Sequence, residues 1–439
     1  MKLKRVMSYL VMASMLAVTA AGCGSSGETA QTVESTGGEA QESAAEETEK
    51  SKDGVVLTVY QGTAQYTDMV EQLCKDYKEE TGVTLEWEIP GDEPYTVLKA
   101  RFASGEAPDI IDLQCGDYDT WYERCVDLSD EAWTEHVYEA SLSGGSWEGR
   151  VYGLPYAMEG SGIIYNKDLF EQAGVEKVPT TITELKETCE KLQAAGIQPF
   201  GEAWGDWGFL MHILGIPFTY EGAAQTSERL SAGEETFSDM EYMDNFFDFY
   251  DLTLDYGWGA ESVGHHYDDQ ANSFAQGEIA MIKQGTWHTD TIASINPDMN
   301  IGLFAVPLTD DESQTKLQVS TTRFLSISNT SKNQEEAKAF LQWFVDHAQT
   351  YMIEDMSIVA PYDTLDVSEL GALNVDMNNY VAAGMSYDGF GIEEWPSGFN
   401  TDQAEPLQAY AAGAADREAT CKALQSLWSS RAASSATAE

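Results

Sequence analysis

The chain has 439 residues, with 74 Asp and Glu against 24 Lys and Arg, a net charge of −50. A surface this acidic repels nucleic acid and anionic lipid headgroups, which excludes both as partners and points to a neutral or cationic ligand. At this length a single core usually splits in two, and 48 aromatic residues offer bulk for packing and for working surface.

Lys2, Lys4 and Arg5 precede 16 uncharged, mostly apolar residues, 6–21, and then Gly22 and Cys23. A basic start, an apolar middle and small residues before the cut describe a secretory signal. The apolar run is shorter than the roughly 20 residues a spanning helix needs. Ala20-Ala21-Gly22-Cys23 resembles the lipobox of bacterial lipoproteins, with Ala20 where Leu is usual. The resemblance implies that the leader, 1–22, is removed and that Cys23 becomes a lipidated first residue. That loss of three positive charges and no negative ones takes the net charge from −50 to −53. Residues 24–54 carry eight acids and no aromatic residue, so 23–54 reads as the anchor followed by a flexible, self-repelling tether. Anchor, tether and body together suit the outer face of a Gram-positive cell membrane.

The body opens as a strand–helix alternation. Residues 55–60 are apolar and β-branched, a strand. Met69, Val70, Leu73, Cys74 and Tyr77 fall at helical spacing over 67–80, with Gly82 as the stop. Strands follow at 83–89 and 109–113, with a helix at 95–104 between them. This alternation predicts a mostly parallel sheet covered on both faces. Thr181-x-x-Glu184 is a capping box for a helix ending near Gly196. Met243, Phe246, Phe247, Tyr250 and Leu254 form an apolar helical stripe. Residues 274–282 read as a helix end, a turn and a strand, and 299–306 as another strand. Ser331-x-x-Gln334 caps a helix carrying Ala337, Phe340, Leu341, Phe344 and Val345. Helices at 401–412 and 417–428 close the body.

Signatures of catalysis are missing. The chain has no Gly-x-Ser-x-Gly, no phosphate loop and no His-Glu-x-x-His. His265-His266 near Asp268-Asp269 is a metal candidate, but adjacent residues point different ways, and a polar loop explains them better. No metal and no cofactor is expected. Asp109/Asp112 and Glu393-Glu394 are candidate glycosidase pairs, yet 74 acids produce close pairs everywhere. Cys74, Cys115, Cys125, Cys189 and Cys421 are odd in number and irregular in spacing, which predicts no structural disulfide.

Residues 152–170 (YGLPYAMEGSGIIYNKDLF) resemble the central signature of family 1 extracellular solute-binding proteins, which serve carbohydrate importers of the ATP-binding-cassette (ABC) type. Gly174, Pro179-Thr180-Thr181 and 196–200 (GIQPF) continue it. Residues 274–287 (FAQGEIAMIKQGTW) and 331–340 (SKNQEEAKAF) supply two further matches in family order. The resemblance implies an α/β, two-lobed periplasmic-binding-protein-like fold of type II, with lobes joined by a hinge crossed several times by the chain. Lobe one would hold 55–160 and 308–355, and lobe two 165–305 and 360–430. The implied protein is a monomer that performs no reaction. It captures a sugar, an oligosaccharide by preference, between its lobes and delivers it to permease subunits. A non-sugar solute on the same fold, or a surface glycoside hydrolase, are the alternatives.

A pyranose has an apolar face that an indole covers and a hydroxyl edge that polar groups satisfy. A carboxylate accepts from two hydroxyls through charge-assisted bonds. By resemblance, Trp287 stacks on the sugar, Trp395 forms a second platform and Glu159 accepts hydroxyls at the hinge. Trp204 and Trp207 share a Gly-rich loop, and one of them is expected to wall the cleft. Gln61 and Thr63 end the first strand and Asp117 follows the third, where ligands of open α/β sheets gather. Arg323 either forks onto two hydroxyls or pairs with an acid.

Overall fold

The computed structural model describes residues 54–61, 67–89, 94–115, 117–356, 358–367 and 370–435. Cys23, the tether up to residue 53 and Thr63 lie outside the described residues.

Eleven described strands occur in chain order: β1 (Val56–Tyr60), β2 (Thr84–Glu88), β3 (Ile110–Gln114), β4 (Ser146–Trp147), β5 (Arg150–Val151), β6 (Leu154–Asn166), β7 (Gln198–Phe200), β8 (Ile279–Gly285), β9 (Ile301–Phe304), β10 (Leu317–Ile327) and β11 (Ser386–Asp388). β4 and β5 form a small hairpin. The other nine form one sheet in the order β2-β1-β3-β10-β6-β8-β7, with β11 on β10 and β9 on β6.

The opening alternation is present, and the helix Thr67–Thr81 between β1 and β2 stops at Gly82. That glycine takes φ +78° and donates its N–H to the Lys78 carbonyl at 2.9 Å, a left-handed stop that a side chain would strain. The expectation of a mostly parallel sheet is corrected. β1 runs parallel to β2 and β3, and β7 to β8, but β10 is antiparallel to β3 and β6, and β6 is antiparallel to β8 and β9. The reason is the pair of long strands, β6 with 13 residues and β10 with 11. Residues 154–161 of β6 pair with β10, while 161–166 pair with β8 and β9. The far half of β10, 323–327, pairs with β3. Two strands are thereby shared by both ends of the sheet.

The protein is a two-lobed α/β fold on that shared pair. One core holds Leu57, Val59, Leu73, Leu85, Ile110, Trp133, Phe340 and Leu341 around β1–β3. Another holds Leu185, Phe200, Phe218, Phe246, Tyr250, Phe399 and Trp428 on the other side. At the Thr181 cap, the hydroxyl accepts from Glu184 N–H at 3.1 Å, but the Glu184 carboxylate accepts from Thr180 N–H at 2.9 Å and from Lys177 at 2.6 Å. The box is therefore one-sided. The helix expected from Ser331 begins at Gln334, because the Ser331 hydroxyl bonds Asp109 and accepts from Asn333 N–H instead.

Candidate ligand-binding site

The polar half of the site grows from strand ends in lobe one. Asp112 lies in β3 with its carboxylate sealed from solvent, and Arg323 reaches it from β10 with 14% of its side chain exposed. β10 shifts register on both sides of Arg323; such a bulge re-aims a side chain. The Tyr156 hydroxyl donates to Asp112 Oδ1 at 3.1 Å and accepts from Gln61 Nε2 at 3.3 Å. Gln61 Oε1 in turn accepts from the Trp87 indole N–H at 3.0 Å. Burial works against the Arg323 charge, but the Asp112 carboxylate beside it more than offsets this and holds its proton tightly. Of the two roles expected of Arg323, pairing with an acid is the one present.

The next stretch of the shared strands carries carboxylates. Glu159 in β6 pairs with Ser320 in β10, and burial pushes its carboxyl above the usual range. Ser320 donates to Glu393 Oε1 at 3.4 Å and lies 3.9 Å from Cys115 Sγ. The Cys115 thiol is pushed up by burial first, then by the charge of Glu393, with Asp117 and Glu159 adding to it. Asp117 accepts Gln114 N–H at 3.0 Å. Glu393 does not serve as a free acid. Its two oxygens accept the N–H groups of Phe390 at 2.6 Å and Ile392 at 2.9 Å, which fold its own loop.

The aromatic half belongs to lobe two. Trp287 follows β8 in a single 3₁₀ turn, Thr286–His288, and is half-buried. A Cβ on Gly285 would lie 2.2 Å from the indole and 2.5 Å from the Gly160 carbonyl. The far edge of the indole, Cζ3 and Cη2, therefore stands in the space a side chain at 285 would fill, next to the residue that follows Glu159. His212, from the helix Trp207–Glu221, stacks on it with centroids 4.9 Å apart and planes at 29°. Phe390 meets His212 edge-on at 5.2 Å and Trp287 at 5.9 Å. The Phe390 loop needs Gly389 and Gly391, both with positive φ. A Cβ on Gly391 would meet the Gly215 carbonyl at 2.2 Å, so helix and loop touch backbone to backbone there. Burial lowers the His212 imidazole to about 3, so it is neutral at pH 7. Sequence reasoning missed His212 and Phe390. The glycines flanking Phe390 were the available signal.

Two expected residues are elsewhere. Trp204 is fully buried and meets Tyr250 at 5.3 Å in the lobe-two core. Trp395 is 9% exposed and packs among Phe218, Phe399 and Trp428. Both are core residues because their helices and loop enclose a ring cluster whose burial outweighs leaving an indole N–H unpaired. Trp207, by contrast, is 46% exposed at the head of its helix. His266 bonds Asp206 at 2.9 Å, and His265 lies against Trp258. No group of three or more metal-ligating side chains occurs among the described residues. Cys74, Cys115, Cys125, Cys189 and Cys421 are all unpaired.

Two α/β lobes built on shared strands, with polar groups on one side of the shared stretch and stacked rings on the other, define a two-lobed binding protein. The chain belongs to the bacterial extracellular solute-binding protein family, whose model matches residues 62–351. It is 24% identical over 316 residues to the multiple sugar-binding protein of Streptococcus mutans, covering 67% of this chain and 72% of that one. Among solved structures it is similar to apo RafE from Streptococcus pneumoniae, with a TM-score of 0.73 and 21% identity over 86% of this chain and 98% of that chain. It is also similar to RafE in complex with raffinose, with a TM-score of 0.69 and 20% identity over 86% and 100%. No described helix is long and apolar enough to cross a membrane.

Proposed function

We propose that the protein is an extracellular receptor, anchored through lipid on Cys23, that captures a neutral oligosaccharide and delivers it to an ABC importer without reacting it. The observation that carries this is the half-buried Trp287 ring, backed by His212 and Phe390 beside the Glu159 strand. Such a ring covers the C–H face of a pyranose, and carboxylates at its edge accept hydroxyls. The similarity to a multiple sugar-binding protein and to a raffinose-bound structure supports the same ligand class.

In this reading Trp287 and Glu159 touch the sugar, Trp207 and Asp117 flank it, and Gln61 and Arg323 hold the floor beneath. Trp204 and Trp395 stabilise lobe two. Lobe one comprises 55–160 and 308–355, lobe two 165–305 and 360–430, and the shared strands near Glu159 and Ser320 act as the hinge. Closure makes all contacts at once, so ligand shifts the population toward the closed form.

Calorimetric titration of the purified protein with raffinose and a panel of neutral saccharides tests the proposal. Saturable binding of at least one sugar, with no change in its composition after overnight incubation, is expected. Binding of none, or turnover of any, discards it. A second reading, a cationic solute on the same fold, is favoured by the carboxylates of Glu159, Asp117 and Glu393 around Cys115. Polyamines and amino sugars in the same panel separate the two.

A further inference from the structure

A buried line of side chains runs from the Trp287 ring into lobe two and ends on the Glu202 carboxyl. The Trp287 indole N–H donates to Gln284 Oε1 at 2.9 Å. Gln284 Nε2 donates to Gln270 Oε1 at 2.8 Å. Gln270 Nε2 donates to Glu202 Oε2 at 2.8 Å and to the Gly201 carbonyl at 2.9 Å. Glu202 Oε1 accepts the Lys283 backbone N–H at 2.9 Å. Gln284, Gln270 and Glu202 are 1%, 0% and 1% exposed.

The ends of this line dictate its direction. An indole N–H can only donate, and each amide offers one donor side and one acceptor side. Once Trp287 takes the Gln284 oxygen, the Gln284 NH2 must face an acceptor, which is the Gln270 oxygen. The Gln270 NH2 then needs an acceptor of its own, which Glu202 supplies. Turning either amide over would set donor against donor in a buried site, and unmet buried groups are costly. Lys283, the neighbour of Gln284 on β8, points to the opposite face and donates to Ser161 Oγ at 2.7 Å. That bond ties β8 to β6 beside Gly160, whose carbonyl borders the space the indole edge fills.

We propose that Glu202, Gln270 and Gln284 are positioning residues for ligand capture, a one-way relay that fixes the plane of the Trp287 ring before sugar arrives. The inference rests on the reading of Trp287 as a sugar platform. A ring already held loses little rotational freedom on binding, so pre-organisation appears as affinity. None of the three residues needs to touch ligand.

Gln270 is the middle link, and leucine there keeps most of its bulk. In protein labelled with 5-fluorotryptophan, the Trp287 fluorine resonance is the one lost in Trp287→Phe. Gln270→Leu should shift and broaden that resonance in the ligand-free protein and leave the Trp133 resonance, assigned through Trp133→Phe, unmoved. In titration with raffinose, Gln270→Leu should bind about tenfold more weakly, the scale of ordering one freed side chain on binding. In the Trp287→Phe background, which has no indole N–H, the same substitution should change affinity by less than about twofold. An unmoved Trp287 resonance overturns the relay, and so does an equal loss of affinity in both backgrounds. Should Gln270→Leu fail to fold, Gln284→Met removes the neighbouring links at similar volume and carries the same readouts. The resonance test needs no sugar. A wild-type protein that binds none counts against the ligand class, and the spectrum then still judges the relay.

Discussion

The two halves of the site hold their side chains by different physics. The lobe-one half uses charge: Asp112 and Arg323 are buried against each other, and Tyr156, Gln61 and Trp87 extend the bonding outward. The lobe-two half uses rings and amides strung to the buried Glu202 carboxyl, and its bare nitrogens sit on neutral rings, whereas the bare nitrogen of the lobe-one half is Nε of the charged Arg323. His212 Nδ1 and both ring nitrogens of His288 are buried without a hydrogen-bond partner. A neutral imidazole can be buried unpaired at modest cost, whereas an unpaired charge cannot. Lobe one should therefore fail in folding when one group is removed, and lobe two should fail in binding.

Asp112→Ala is the largest test of that contrast. It leaves the largely buried Arg323 without its ion-pair partner, and stability should fall by about 3–5 kcal/mol, read from urea unfolding. Adding Arg323→Met should recover part of the loss, because no charge then remains to be paired. A double variant less stable than the single one would show that the pair is not the unit that matters. Trp287→Ala is the matching test on the other side. The ring is half-buried over Gly285, so the fold should survive. Raffinose binding should weaken by about 30-fold, equivalent to about 2 kcal/mol for an aromatic anchor. Unchanged affinity in titration would remove Trp287 from the site. A collapse in stability would place Trp287 with Trp204 as core and erase the difference between the halves.

The contrast was only partly legible beforehand. Strand–helix alternation over β1 to β3 and the amphipathic helices declare themselves because each buries one face, as Val59, Leu73 and Leu85 do. β6 does not declare itself as a strand. Its residues LPYAMEGSGIIYN include a proline and two glycines and are buried nearly throughout, so no alternation marks it. β10 is missed because its alternation, Leu317-Gln318-Val319-Ser320 and Leu325-Ser326-Ile327, is broken by Thr321-Thr322-Arg323 where the ladder shifts register, and with it goes the antiparallel centre of the sheet. The position of Trp287 after β8 follows from its glycine-preceded turn. Trp204 and Trp395 were not legible as core, because an indole in a loop looks alike in sequence whether it faces outward or inward. Only the placement of Tyr250, Phe218 and Trp428 around them decides it. The relay through Gln270 joins residues far apart in sequence by side-chain bonds alone, for which no spacing exists to read.

The smallest prediction concerns acid. Burial lowers His288 to about 4 and His212 to about 3, while both titrate near 6.5 in an unfolded chain. Between pH 6.5 and about 4 the unfolded chain takes up protons that the folded chain refuses, so these groups make stability fall on acidification. The slope is up to about 1.4 kcal/mol per pH unit for each histidine. Glu159 and Glu202 act in the opposite sense. Burial raises both carboxyls, so the folded chain binds their protons more readily and gains stability as pH falls. Other groups add to the wild-type profile, such as Glu184, held below its usual range by Lys177, so a variant is needed to separate the trends. His288→Leu removes an imidazole that is 0% exposed and has neither nitrogen bonded. At pH 7 it should stabilise the protein by about 1 kcal/mol, the cost of an unmet buried group. Its advantage over wild type should grow from pH 6.5 down to about 4 and then level off, as followed by urea midpoints across that range. An advantage constant with pH would mean that His288 takes up its proton as readily in the folded protein as in the unfolded chain. The ring cluster would then carry an ionised imidazole below about pH 6.5, and the proposed division of labour would fail.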